Sequence, residues 1–107
     1  MTPPPLKRLG NVTVAGFMRT TWQKRPQQIR HALPERATPV KAADLFALAA
    51  RDDVAARLVT AFGGRWRLQH GPFARTRIPG AKRPGWTLLV QGVDLYLPQV
   101  AALRERF

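Results

Sequence analysis

RLVTAFGGRWRLQHGPF, residues 57–73, is the stretch whose reading decides the fold. Gly63 and Gly64 together supply the positive backbone angles that a two-residue turn between antiparallel strands requires. On either side, residues 57–62 and 65–73 are rich in strand-forming side chains, and Trp66 and Leu68 alternate with Arg65, Arg67 and Gln69. The pattern predicts a β-hairpin with one apolar and one wet face. Downstream, WTLLVQGV at residues 86–93 is a nearly continuous apolar run of strand length, which predicts a strand covered on both faces and in need of neighbours.

Helical signals flank these strands. From Asn11 or Thr13 onward, Val14, Phe17, Met18 and Trp22 recur at helical spacing, and Pro26 closes the segment because its ring disfavours helix in the residue before it. Residues 27–33, with Ile29 and Leu33, read as a short strand ending at Pro34. Thr38 and Pro39 then offer helix-start chemistry ahead of a stripe made by Leu45, Phe46, Leu48 and Ala49, interrupted by Arg51, Asp52 and Asp53. Near the end, Pro98 suits a first helical turn, and Val100, Leu103 and Phe107 follow at spacings of three and four. Residues 1–12, with three consecutive prolines at Pro3, Pro4 and Pro5, suit neither helix nor strand and read as a flexible tail. Residues 13–107 form the folded part, an α+β arrangement of short elements.

A chain of 107 residues has room for one modest core. No apolar run approaches the roughly 20 residues of a membrane span, and residues 1–10 lack the apolar stretch of a signal peptide. The absence of Cys excludes disulfides, thiolate metal sites and cysteine nucleophiles, and suits a reducing compartment; a cytoplasmic protein is expected. The charge is lopsided: 18 Lys and Arg oppose 6 Asp and Glu, a formal +12, and 14 of the 18 are Arg. Such a balance attracts phosphate backbones or acidic surfaces, although the basic residues are dispersed. Their densest group is the loop at residues 74–85, where Arg75, Arg77, Lys82 and Arg83 stand among Pro79, Gly80, Pro84 and Gly85.

Few residues offer chemistry. An iron site of the facial-triad kind needs two imidazoles and a carboxylate. Only His31 and His70 exist, and neither begins a His-x-Asp or His-x-Glu pair, since Ala32 and Leu33 follow one and Gly71 and Pro72 the other. Both read as structural histidines. Adjacent Asp52 and Asp53 read as a solvated helix terminus, not as a proton-sharing dyad. Gly63-Gly64 lacks the spacing of a phosphate loop. Trp22, Trp66 and Trp86 could stack on bases, but each lies in an apolar-periodic segment and is expected to anchor the core.

The segments Trp22-Gln23-Lys24-Arg25-Pro26, Arg57-Leu58-Val59, His70-Gly71-Pro72-Phe73 and the Trp86 strand through Asp94 come in a recognisable order and spacing. Together they resemble the start of the bacterial ribosomal-protein arginine hydroxylases, cupin oxygenases of the JmjC type. The resemblance covers residues 13–107. It implies the N-terminal part of a double-stranded β-helix, with the barrel incomplete, from an enzyme that uses Fe(II), 2-oxoglutarate and dioxygen to hydroxylate an arginine of a large-subunit ribosomal protein. In that family the His-x-Asp and later His that hold iron lie beyond the region matched here, followed by a dimerising helical part and a winged-helix-like end. No metal, cofactor or catalytic residue is therefore assigned to this chain, and none of these cofactors is expected to bind it. The expectation is an N-terminal fragment that is inactive alone. A degenerate basic module that touches ribosomal RNA or an acidic partner through residues 75–83 is the competing reading, and a dimerisation piece built on Val100, Leu103 and Phe107 ranks last.

Overall fold

The computed structural model describes residues 4–33 and 40–107. They fall into two compact units, one containing the described residues up to Leu33 together with 101–107, the other residues 40–100.

The first unit begins with a miniature hairpin. Strand β1, Arg8–Leu9, pairs antiparallel with β2, Val12–Thr13, in the register Arg8↔Thr13 and Leu9↔Val12. This corrects the reading of residues 1–12 as unfit for a strand: the prolines stop at Pro5, and Gly10 supplies the turn with a φ of 59°. Helix α1, Val14–Thr20, follows directly. Thr13 caps it, its Oγ1 accepting from the Gly16 N–H at 3.0 Å. The helix ends well before Pro26, because the buried Thr21 hydroxyl donates to Gln27 Oε1 at 2.6 Å and Gln23 takes a φ of 57°. Its apolar stripe is only partly covered: Trp22 stands 6.4 Å from the Phe17 ring but is 51% exposed, not the core anchor expected.

The strand expected over residues 27–33 is absent. His31 adopts a φ of 53°, which breaks the extended run, and a single bond from the Gly10 N–H to the Ala32 carbonyl joins the segment to the hairpin turn. Its expected end at Pro34, and the helix-start residues Thr38 and Pro39, lie outside the described residues.

The second unit opens with helix α2, Ala42–Ala49, where Asp44 Oδ2 accepts from the Lys41 N–H at 3.0 Å and places negative charge in the first turn. Three antiparallel strands follow in the order β4-β3-β5: β3 is Ala56–Phe62, β4 Arg65–His70 and β5 Trp86–Val90. The hairpin is as predicted, with Phe62 opposite Arg65 and with Gly63 and Gly64 at φ 57° and 78°. Strand β4 stops at His70 instead of running to residue 73. The chain turns in at the cis Gly71–Pro72 bond, the Phe73 N–H bonds the Ala49 carbonyl at 2.7 Å, and the Phe73 ring drops into the core, 1% exposed.

Cross-strand partners share a face. Ala56, Leu58 and Thr60 on β3 face the same way as Trp86, Leu88 and Val90 on β5, and this face carries the core of Ala49, Ala56, Leu58, Phe73 and Ile78. Phe46, Trp86, Leu88 and Val90 pack around it. The opposite face is open. Strand β5 is therefore not covered on both sides as expected: Thr87 and Leu89 look outward, because α2 shields one side only. Gly92, at φ 71°, then turns the rest of the apolar run into a short 3-10 turn, Val93–Leu95, and helix α3, Pro98–Arg104, begins at the predicted proline.

The start of β5 sets a strict backbone demand. Gly85 has a φ of 82°, and a Cβ added there would stand 2.6 Å from the Ala61 carbonyl oxygen, whereas one at Gly64, φ 78°, would meet open space. Gly64→Ala should cost about 1 to 2 kcal/mol through left-handed strain alone, and Gly85→Ala should cost clearly more because backbone must also move. Urea unfolding of the two variants checks the ranking, and equal midpoints would contradict it.

Candidate functional site

At one end of the second unit's sheet, Asp52 and Asp53, the start of β3 with Arg57, the end of β4 with His70, and Gln91 surround a shallow polar concavity. A histidine and two carboxylates stand on its rim without gathering into one cluster. A knot of interactions defines one wall. Arg51 grips Asp53 with two nitrogens, Nε to Oδ1 at 2.8 Å and Nη2 to Oδ2 at 2.6 Å, and its guanidinium lies 4.9 Å over the Tyr96 ring. The Tyr96 hydroxyl donates to the Asp53 carbonyl at 3.0 Å, so residues 43 apart in sequence hold the loop.

This knot decides the chemistry of the acidic pair. The hydrogen bond from Arg51 holds the Asp53 carboxyl below the ordinary aspartate value of 3.8, and the same bond raises the Arg51 guanidinium above its usual range. Asp53 is thus an ionised, committed salt-bridge partner and not half of a proton-sharing dyad. His70 is exposed at the strand end and stands directly opposite Arg57 in the β3–β4 register, on the same face. A guanidinium in that neighbouring position repels a divalent cation.

His31 belongs to the other unit, where it helps to line a hollow with Lys7, Arg8, Arg30 and Arg106, again a cationic setting. Among the described residues, no three His, Cys, Asp or Glu side chains gather as a metal would require. The donor set of the described residues does not fit an iron centre.

Two further surfaces stand out, and sequence reasoning foresaw neither as it is. The first is the open face of the sheet. Val59 and Ala61 on β3 lie opposite Leu68 and Trp66 on β4, and Thr87 and Leu89 continue the row on β5. Trp66 is 78% exposed and Leu68 55%, so Trp66, like Trp22, is not a core anchor. Trp86 alone of the three tryptophans packs on the core, its Nε1–H donating to the Gly80 carbonyl at 3.2 Å. The signal available in sequence was the alternation itself, which marks an apolar face without saying what covers it. The second surface is the basic loop, which is less freely solvated than its composition suggested. Arg75 donates to the Ile78 carbonyl at 2.9 Å and lies 4.1 Å over the Phe46 ring, and Arg83 lies 4.6 Å over the Phe62 ring. No helix among the described residues is long and apolar enough to cross a membrane.

Comparison with known proteins places this scaffold. No family model matches the chain. The ribosomal protein uL16 3-hydroxylase of Escherichia coli is 34% identical over 91 residues, which are 85% of this chain and 24% of that protein. A probable ribosomal oxygenase of Haemophilus influenzae is 32% identical over 98 residues, 91% of this chain and 24% of that protein. The structure of YcfD, a ribosomal oxygenase from Escherichia coli, superposes with a TM-score of 0.80 at 30% identity, over 95% of this chain and 28% of that one. The same enzyme in complex with cobalt and 2-oxoglutarate also gives 0.80, at 31% identity over 94% of this chain and 27% of that one. The chain thus spans about a quarter of the length of the relatives it matches.

The Asp53 carboxyl should titrate below 3.8, and Arg51→Ala should bring it back up towards that value, as followed by carboxyl-carbon NMR. Because its folded value is depressed, whatever stability the pair adds is present above the unfolded value and is lost as pH falls through the lower folded one. An Asp53 that titrates identically in both proteins would dissolve the knot.

Proposed function

From the homology of this chain to about a quarter of the ribosomal oxygenases, we infer that it forms the N-terminal scaffold part of an Fe(II)- and 2-oxoglutarate-dependent oxygenase. The whole enzyme would hydroxylate an arginine of a large-subunit ribosomal protein, in keeping with the uL16 hydroxylase it resembles. Iron and 2-oxoglutarate would supply the oxidising chemistry in such an enzyme, and among the described residues no three His, Asp or Glu side chains gather to receive the metal. Its contribution is structural: the β4-β3-β5 sheet would join the wall of a double-stranded β-helix, and α2 would seal the outer side of that wall.

The observation that carries this reading is the uncovered apolar face. Val59, Ala61, Trp66 and Leu68 form a contiguous apolar patch on β3 and β4, with Trp66 78% exposed, and on β5 Thr87 stands beside Val59 with Leu89 diagonal to it. A sheet face of this kind marks an interface awaiting a partner layer. The relatives have three quarters of their length beyond the matched part with which to provide one. The ligands for iron would come from there as well.

Two measurements test this. The purified chain, given Fe(II), 2-oxoglutarate and dioxygen, should release no succinate above a no-protein control; turnover, or stoichiometric Fe(II) binding lost in His70→Ala, would refute the scaffold reading. The isolated chain should also enhance the fluorescence of anilinonaphthalene sulfonate, and the double variant Trp66→Ser, Leu68→Ser should lose most of that signal while melting at nearly the same temperature. A signal unchanged in the double variant would remove the open face as the carrying observation.

A further inference from the structure

A second surface, independent of the oxygenase reading, lies at the hairpin end of the same sheet. Residues 54–93 contain seven Lys and Arg and no Asp or Glu, so this part of the chain has no internal neutralising charge. Three of those cations stand near Phe62, one over its ring and two on the facing strand. Arg65 is directly opposite Phe62 in the β3–β4 register, and Arg67, two residues along the same edge strand, projects from the same face about 7 Å further on. From the loop, the Arg83 guanidinium lies 4.6 Å over the Phe62 ring. Burial runs out at this end of β3, from Leu58 at 2% exposed to Phe62 at 42%. Among the described residues, none of the three arginines has a carboxylate within ion-pair distance.

The chemistry of the patch is specific. Arg65 and Arg67 are forked donors spaced along an extended strand, suited to successive phosphates. Arg83 differs, because its guanidinium lies over the Phe62 ring while the residue stays exposed, so it can serve as a platform. Such a plane accepts a stacked heterocycle while its edge donates to an anion. An acidic peptide would meet the charge but leave the platform unused. A single-stranded nucleic acid meets both requirements at once, since every base has a π-face and every linkage a phosphate.

We propose that Arg65, Arg67 and Arg83, arranged about Phe62, form a binding patch for single-stranded RNA, with phosphates on Arg65 and Arg67 and a base stacked on Arg83. The full chain and a fluorescein-labelled single-stranded RNA of about 12 nucleotides provide the test, read as anisotropy from about 50 to 200 mM salt. The triple variant Arg65→Ser, Arg67→Ser, Arg83→Ser should bind about tenfold or more weakly, and its log–log salt slope should be shallower by about 1.4, near 0.7 for each of the two phosphates that are no longer neutralised. A control of equal charge change in the other unit, Arg19→Ser, Arg25→Ser, Arg30→Ser, should change affinity by no more than about twofold. Arg83→Lys keeps the charge and removes the plane; it should weaken binding about fivefold with little change of slope. Circular dichroism of each variant confirms an unaltered fold. Equal losses in the two triple variants would show attraction by net charge alone and overturn the patch. So would an unaffected Arg83→Lys, displacement of the RNA by polyglutamate at matched charge, or absence of binding by the parent chain.

Discussion

One short helix can shield only one side of a three-stranded sheet, and the rest of the second unit follows from that limit. Helix α2, Ala42–Ala49, brings Phe46 and Ala49 against Leu58, Leu88 and Val90, and Phe73 and Ile78 close the same layer from the loops. These side chains exclude water from one face and leave the residues in between, Val59, Trp66, Leu68 and Leu89, turned the other way. The hydrophobic effect is satisfied on one side of the sheet and unsatisfied on the other. A core with a single buried layer suits a wall of a larger structure, and the chain matches about a quarter of the length of the ribosomal oxygenases it resembles.

Local rules made much of the fold legible. The hairpin was readable because Gly63-Gly64 and the flanking alternation point the same way, and α1, α2 and α3 were readable from periodicity and from Thr13 and Pro98. The expected strand over residues 27–33 failed because a short run with two apolar residues needs a neighbouring ladder, and the left-handed turn at His31 removes it. Trp22 and Trp66 were misplaced for a related reason. Periodicity shows which face a side chain shares, but burial needs a second layer, and no local pattern reports whether one exists. The short β1–β2 hairpin was hidden by the prolines just ahead of it.

The site was legible by residue type and not by partnership. That His31 and His70 lack a neighbouring carboxylate in sequence is visible at once. That Asp53 is tied to Arg51, with Tyr96 closing over both, depends on interactions spanning 43 residues and on a ring laid beneath a guanidinium. The same holds for Arg75 on Phe46 and Arg83 on Phe62, which tie two cations of a loop that looked merely solvated to aromatic rings. In an arginine-rich chain, aromatic rings take up part of the work that carboxylates do elsewhere.

The strand order β4-β3-β5 also leaves two outer edges of different charge. Among the described residues, β4 and β5 each pair only with β3, so each presents an outer row of amide and carbonyl groups. On β4 the rim carries Arg65 and Arg67, whose like charges repel an incoming copy. The rim of β5 reads Trp-Thr-Leu-Leu-Val and carries no charge at all. Of the two edges, β5 is thus the one whose side chains offer no charge against an incoming strand.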